Sequence, residues 1–542
     1  MGLPDRFVNR LNVSDKDSRW LRWACALVAA LYLVFIAIAE VGPIARYGHD
    51  TFLFLDGGWR ILNGQMPYRD FNIPLGPLEY LLVTGGMLLT SASPQGIAID
   101  CAAVGLIIGV WGWFLSSKRM PAVPALLITA WLILTSTAPT SLGFATPNFP
   151  SCAMIYNRQG YALLGLVIIE CVFASKHNRF SSGLSSGIAL ALMAFLKLNF
   201  FGYAGLFLLA SVPIRRNEMA RVWGCLVGFA GVTAVFVIYL WSAIPAFIAD
   251  MTLAAQARQS RSDPNHFFGG PSGRGLMVVL ALLTIAAVYL MARGKLDRQF
   301  IVRMSIIGCV VIASRPYFRF TDSGETGFQL AALWAAILVA VLLTVYRESA
   351  TKAAVSVVIA LGLVGFVVEI LPDAQSVVTL IRFSTPSVQA RGFSLPGPGM
   401  QRLKFYDLPG DPSIASYDNG HYLVDNVEDG IALLEKNSAQ NESVFGIGYR
   451  NPFSYVLRRK PAFGGSTLLQ IDYNFSEKRP LDADQVFGDA DLIMLPNYPS
   501  GIEPSNAAIV AIYRPYLQEH FVFVASSQWW SLYRRVKLEQ GG

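Results

Sequence analysis

Residues 49–77 read HDTFLFLDGGWRILNGQMPYRDFNIPLGP. The stretch follows a long apolar run and carries three aspartates, two arginines and a histidine before it breaks up into Gly and Pro. Asp50 stands immediately before an apolar segment that closes at Gly64, the order in which an N-cap and a glycine C-cap frame a helix. Beyond it, Pro67, Pro74 and Pro77 interrupt any further helix. The stretch reads as one helix and a tight polar loop, and the question is on which side of which spans it lies.

The remainder of the chain supplies those spans. Apolar residues make up 54% of the 542 and charged residues only 15%, against roughly 25% charged in soluble domains. A membrane-crossing helix needs about 20 mostly apolar residues. Eleven runs approach this, at 23–40, 97–115, 122–138, 160–175, 182–199, 200–213, 222–242, 275–292, 300–314, 326–345 and 352–371.

Short loops rich in Lys and Arg mark the cytoplasmic side. The N-terminus (Arg6, Arg10, Lys16, Arg19, Arg22) is of this kind. So are the loops holding Lys118-Arg119, Lys176 to Arg179, Arg215 to Arg221, Arg293 to Arg298 and Arg347 to Lys352. With all of these inside, the eleven spans alternate without conflict. Residues 41–96, 139–159, 243–274 and 315–325 then lie outside, as does everything after 372. The run LEYLLVTGGMLLT, 78–90, is too short to cross and belongs at the interface. The opening stretch is therefore part of one long external loop that packs on the membrane surface.

From Asp373 onward 15 basic residues stand against 18 acidic ones, a net of −3, so the part before it carries +10 of the overall +7. That positive excess lies between spans, where it reports topology and attraction to anionic lipid rather than nucleic-acid binding. All six cysteines precede residue 373 without metal-ligand spacing, so neither a metal site nor a disulfide framework is implied. Residues 373–410, rich in Pro, Gly and Ser, read as a linker. Residues 411–542 read as a soluble α/β domain, with a helix in EDGIALLEKN and strands in SVFGIG, DLIMLPN, FVFVAS and WWSLYRRV. The Asp482-x-Asp484 and Asp489-x-Asp491 pairs read as surface carboxylates. Trp529, Trp530 and Tyr533 suit either sugar stacking or packing of the domain.

The pattern Asp50, Trp59-Arg60, Gly64, Pro67-Tyr68, Asp70-Phe71, Pro74, Gly76-Pro77 resembles the first external loop of the GT-C superfamily of membrane glycosyltransferases. It is most similar to the bacterial branch that holds lipopolysaccharide-core and aminoarabinose transferases, related to protein O-mannosyltransferases. The resemblance is firm over residues 20–90 and looser along the later spans. It implies a membrane all-α fold of GT-C type, with about 11 transmembrane helices and interfacial helices in the first external loop, here followed by the C-terminal α/β domain. It implies residues 1–372 as the catalytic membrane domain, set in a bacterial inner membrane with the N-terminus cytoplasmic and the C-terminal domain periplasmic. It also implies a polyprenyl-phosphate sugar as donor, a glycan, lipid or protein acceptor, and an Asp of the first loop as base in an inverting transfer. In many relatives that Asp is followed by Glu; here Thr51 follows Asp50, so no metal is obligatory, although a divalent ion is compatible with the remaining acids.

Chemistry asks for the same residues independently. Transfer to a hydroxyl needs a carboxylate within reach of the departing proton, and a lipid-phosphate leaving group needs cations rather than an acid. Asp50 is the principal candidate base and Asp70 the second. Lys197, between two apolar runs, and Arg158, Arg315 and Arg319 are candidate phosphate contacts. Tyr68, Glu79, Asn157 and His266 are candidate substrate contacts. Asp56 and Arg60 read as solvated or interfacial helix residues. The rival class is a transporter or flippase for a lipid-linked sugar, for which paired intramembrane acids or inverted repeats with broken helices would speak.

Overall fold

A computed structural model describes residues 15–39, 41–44, 48–139, 150–173, 179–211, 219–258, 328–346, 352–384, 392–406, 420–448, 451–497 and 505–536. Its first two thirds are helical: α1 (Asp15–Ile38), α2 (Gly48–Leu62), α3 (Pro77–Leu89), α4 (Gly96–Ser116), α5 (Ala122–Thr137), α6 (Ile155–Val172), α7 (Arg179–Leu196), α8 (Leu198–Ser211), α9 (Met219–Tyr239), α10 (Ile244–Arg258), α11 (Phe328–Tyr346) and α12 (Lys352–Phe383). Among the described residues, five helical stretches are long and apolar enough to cross a membrane: Arg19–Ile38, Gly96–Ser116, Arg179–Leu196, Met219–Tyr239 and Ile359–Phe383. Along the other expected runs, Ala122–Thr137, Leu198–Leu209 and Ala332–Leu343 are shorter apolar helices, and the short run at 78–90 falls on the 13-residue α3. The expected spans at 275–292 and 300–314 lie outside the described residues.

Two of these helices owe their contact to glycine. Gly183 and Gly187 on α7 meet Gly224 and Gly228 on α9, a four-residue repeat on each side. A Cβ at Gly183 would lie 1.9 Å from the Arg221 carbonyl oxygen, and one at Gly224 would lie 2.1 Å from that of Phe180. The backbones touch, which is how small residues join helices where no water drives association. Glu170, an acid inside an apolar run, is fully buried and answered locally: Arg119 Nη1 lies 2.6 Å from its carboxylate, and Ser182 donates to the same oxygen.

The last third is mixed α/β. Helix α13 (Gly420–Asn437) precedes β3 (Val444–Gly446), and α14 (Phe453–Val456) and α15 (Ala483–Phe487) lead to β4 (Leu492–Pro496). Helix α16 (Ser505–His520), β5 (Phe521–Ser526) and β6 (Trp530–Arg535) complete it. The sheet order is β3-β4-β6-β5; β3 runs parallel to β4 and the other pairs are antiparallel. All four strands fall where the β-branched and aromatic runs place them. Trp530 is buried and its indole N–H donates to the Asn426 carbonyl, so this tryptophan packs the fold. Three of the four acids in the Asp-x-Asp pairs hold the fold: Asp482 caps α15, Asp489 accepts from the Phe463 N–H, and Asp491 accepts from Ser443.

The two parts of the chain share one apolar core, which runs from Phe52 and Leu53 of α2 through to Leu468, Leu492 and Trp530. They also share a sheet. Strand β1 (Val41–Ile44), just ahead of α2, pairs in parallel with β2 (Leu403–Phe405).

Candidate active site

The opening stretch forms helix α2 and a loop, as its residues require. Gly64 takes φ +85, the Gln65 N–H donates to the Arg60 carbonyl and the Gly64 N–H to that of Ile61. This is the glycine-closed Schellman end. The other end differs from expectation: the helix begins at Gly48, so Asp50 lies inside the first turn rather than at the cap. A carboxylate there is favoured by the exposed N–H groups of the turn. Asp50 is 9% exposed.

Asp50 and Phe54 are one turn apart on the same face of α2. The Phe54 ring meets Tyr156 at 6.1 Å between centroids, and Lys197 Nζ sits 5.0 Å from the centre of the Tyr156 ring. Lys197 also donates to Asn157 Oδ1 at 2.8 Å. The lysine occupies the break between α7 and α8 and is 7% exposed. An ammonium at such a depth is held by a polar cavity or a partner rather than by lipid. Thus Phe54 of α2, Tyr156 and Asn157 at the start of α6, and Lys197 at the α7–α8 break form one chain of contacts, with Asp50 one turn before Phe54 on α2.

The loop after α2 roofs this break. The Gly76 N–H donates to the Leu196 carbonyl, and a Cβ on Gly76 would lie 2.0 Å from the Phe195 carbonyl oxygen; only glycine permits that approach. Tyr68 is held at φ +69, unusual for a residue with a side chain. Its hydroxyl donates to the Leu75 carbonyl at 2.6 Å, and its ring meets Phe247 of α10 at 4.9 Å. Tyr68 is buried and shapes the loop.

Asp70 is occupied. Arg69 grips both its oxygens at 2.6–2.7 Å, and the Met66 N–H donates to one of them at 2.7 Å. Partial burial pushes its carboxyl up, but Arg69 and Met66 outweigh this and hold it below the ordinary carboxylate value. A carboxylate so engaged is a weak base, and Asp70 orders the loop.

Glu79 of α3 is fully buried; Gln159 of α6 donates to it at 3.4 Å, and it lies against Asp100 of α4. It is thus held among α3, α4 and α6. Arg158, on the turn between Asn157 and Gln159, faces elsewhere. It lines a separate cavity of about 50 Å³ with Ile36, Cys101, Cys152 and Leu380, within electrostatic reach of Asp373. His266, Arg315 and Arg319 lie outside the described residues.

Asp56 and Arg60 are not solvated, contrary to the sequence reading. Both are fully buried. Arg60 Nε contacts Asp56 at 3.0 Å, and Nη1 donates to Gln65 Oε1, the Ala462 carbonyl and the Gly464 carbonyl at 2.9–3.2 Å. Asn451 donates to the second oxygen of Asp56 at 3.3 Å. The partners come from some 400 residues downstream, out of reach of any local pattern.

Asp250 on α10 had no signal in its sequence at all. It is 8% exposed, one of its oxygens has no partner, and it faces the Asn72 side chain. Burial pushes its carboxyl up to about 7, with Asn72 pulling the other way. An acid whose folded value lies above its unfolded value stabilises the fold fully below about pH 4 and loses that contribution as pH rises through about 7. Asp250→Asn should therefore raise the melting temperature more at pH 8 than at pH 5. An equal shift at both, measured by thermal unfolding in detergent, would show that Asp250 titrates normally.

No family model matches the chain, and no curated protein matches it. Among solved structures, the chain is similar to structures of ArnT. One is the crystal structure of ArnT from Cupriavidus metallidurans bound to undecaprenyl phosphate, 12% identical with a TM-score of 0.43, over 96% of this chain and 99% of that one. Another is the same protein in the apo state, 12% identical with a TM-score of 0.39, over 96% and 98%.

Proposed function

We propose that this chain is an integral-membrane glycosyltransferase. It moves a sugar from a polyprenyl-phosphate carrier to a hydroxyl of a glycan, lipid or protein acceptor on the external face of a bacterial inner membrane. The observation that supports the reading is the buried Lys197–Asn157 pair at the α7–α8 break, linked through Tyr156 to Phe54, one turn along α2 from Asp50. In this reading Lys197 supplies the cation for the leaving phosphate and Asp50 the carboxylate for the acceptor proton.

In the reaction, the acceptor oxygen attacks the anomeric carbon from the face opposite the phosphate. The carbon–oxygen bond to the phosphate breaks and its electron pair leaves with the polyprenyl phosphate. Asp50 takes the hydroxyl proton, and Lys197 offsets the charge that gathers on the phosphate oxygens. Attack opposite to departure inverts the anomeric centre. With Asp50 as base and Lys197 at the phosphate, no step calls for a metal.

The test is transfer from a panel of polyprenyl-phosphate sugars by the full chain in detergent or vesicles. Lys197→Gln should lower kcat/KM for the donor roughly 10- to 100-fold, the worth of a charge-assisted hydrogen bond of about 1.5–3 kcal/mol. Should no donor be consumed while lipid-linked sugar crosses the vesicle wall, the protein is a flippase and the transferase reading falls.

A further inference from the structure

A cavity of about 220 Å³ lies between the first-loop residues 68–72 and residues 463–488 near the C-terminal end. Its floor is backbone against backbone. The Gly464 N–H donates to the Asp70 carbonyl at 2.6 Å, the Gly465 N–H to that of Gln485 and the Asn72 N–H to that of Gly465, both at 2.9 Å. Gly464 and Gly488 make this possible. Both have positive φ, and a Cβ on Gly488 would lie 1.8 Å from the Phe463 carbonyl oxygen. The floor is thus formed before any ligand arrives, which lowers the cost of binding.

The walls have a particular chemistry. Phe463 is 42% exposed, with Lys460 Nζ 5.9 Å from the centre of its ring, which leaves the other face for a ligand. Asp484 and Gln485 supply a carboxylate and an amide, while Asp70 and Asn72 line the cavity with side chains already engaged by Arg69 and by Ser466 and Asn474. Asp484 accepts one bond from the Tyr516 hydroxyl, and Arg69 is tied to Asp70. Two acids and one engaged arginine give the lining a net negative charge, unsuited to a phosphate. The polar walls are equally unsuited to a polyprenyl chain. An exposed ring beside several fixed hydrogen-bonding groups suits a pyranose, with an apolar face to stack and hydroxyls to satisfy.

We propose that this cavity is an acceptor-side subsite that binds a neutral or amino-bearing pyranose, held jointly by the first loop and the Phe463–Gly488 segment. The assignment rests on the glycosyl-transfer reading for its role and on the cavity itself for its ligand. The sugar stacks on Phe463, the Asp484 side chain hydrogen-bonds its hydroxyls, and Gln485 closes the rim.

Saturation-transfer NMR on the full chain in detergent tests it, with methyl glucoside, methyl galactoside, methyl mannoside and glucosamine as probes and inorganic phosphate as competitor. Saturation of ring protons is expected for at least one probe, falling at least about fivefold in Phe463→Ala and Gln485→Ala; both side chains are exposed, so their removal leaves the fold intact. Phosphate should not compete. Equal signals in wild type and both variants, or displacement by phosphate, overturn the subsite. Transfer from a lipid-linked donor without any saccharide signal overturns the subsite and leaves the transferase reading standing. Saccharide binding lost in the variants, with no donor turned over by wild type, supports the subsite and sinks the transferase reading instead.

Discussion

Asp50→Asn is expected to retain donor binding and lose transfer by about 10²- to 10⁴-fold, the usual contribution of a positioned general base. The amide keeps the shape of the carboxylate but cannot accept the acceptor proton. Losing a negative charge from the first turn of α2 costs only about 0.3–1 kcal/mol, so the fold should survive and the loss should appear in kcat. Asp70→Asn provides the contrast. Its carboxylate is held by Arg69 and the Met66 N–H, and an asparagine oxygen can still accept from Met66. A loss of less than about tenfold is expected there. The reverse ranking, full transfer in Asp50→Asn and none in Asp70→Asn, would move the base to Asp70.

Arg60→Ala should be the most destabilising single change in the first loop. Arg60 is fully buried and joins Asp56, Gln65 and the carbonyls of residues 462 and 464. Removing it leaves Asp56 buried with only Asn451 in contact; burial already pushes that acid above its ordinary value. Breaking one side of a buried pair costs about 3–5 kcal/mol. Asp56→Asn leaves Arg60 buried without its counterion but still with three oxygen acceptors, so it should cost less than Arg60→Ala. Melting temperature and protease cleavage around residues 458–465 read the difference. Equal destabilisation by the two variants would mean that the arginine acts through Asp56 alone.

The features legible in the sequence are those set by neighbours along the chain. Glycine at 64 closes α2 because the turn needs positive φ, and the strand runs at 444–446, 492–496, 521–526 and 530–535 carry their own β-branched and aromatic signal. Lys197 stood out because a charge in an apolar run is costly wherever it lies. What could not be read depends on partners far away. Arg60 resembles any exposed helix arginine until residues 462 and 464 are placed against it. Asp250 sits in IPAFIADMTLAAQAR, where no spacing hints at burial. The separation of Arg158 from Lys197 follows from the helical rotation between residues 157 and 158, visible only once the neighbours of α6 are known.

The grip of residues 458–465 on α2 also has a consequence for biosynthesis. Arg60 and the Ala462 carbonyl are 402 positions apart, which at about 5–20 residues per second means a wait of about 20–80 s during translation. Through that interval α2 has left the ribosome with a buried-type ion pair and a broad apolar face uncovered. The nascent chain must then keep α2 covered, by the membrane or by a chaperone, until its own last quarter arrives to seal it. Premature termination ahead of residue 462 should accordingly yield a protein that inserts into the membrane and is then degraded.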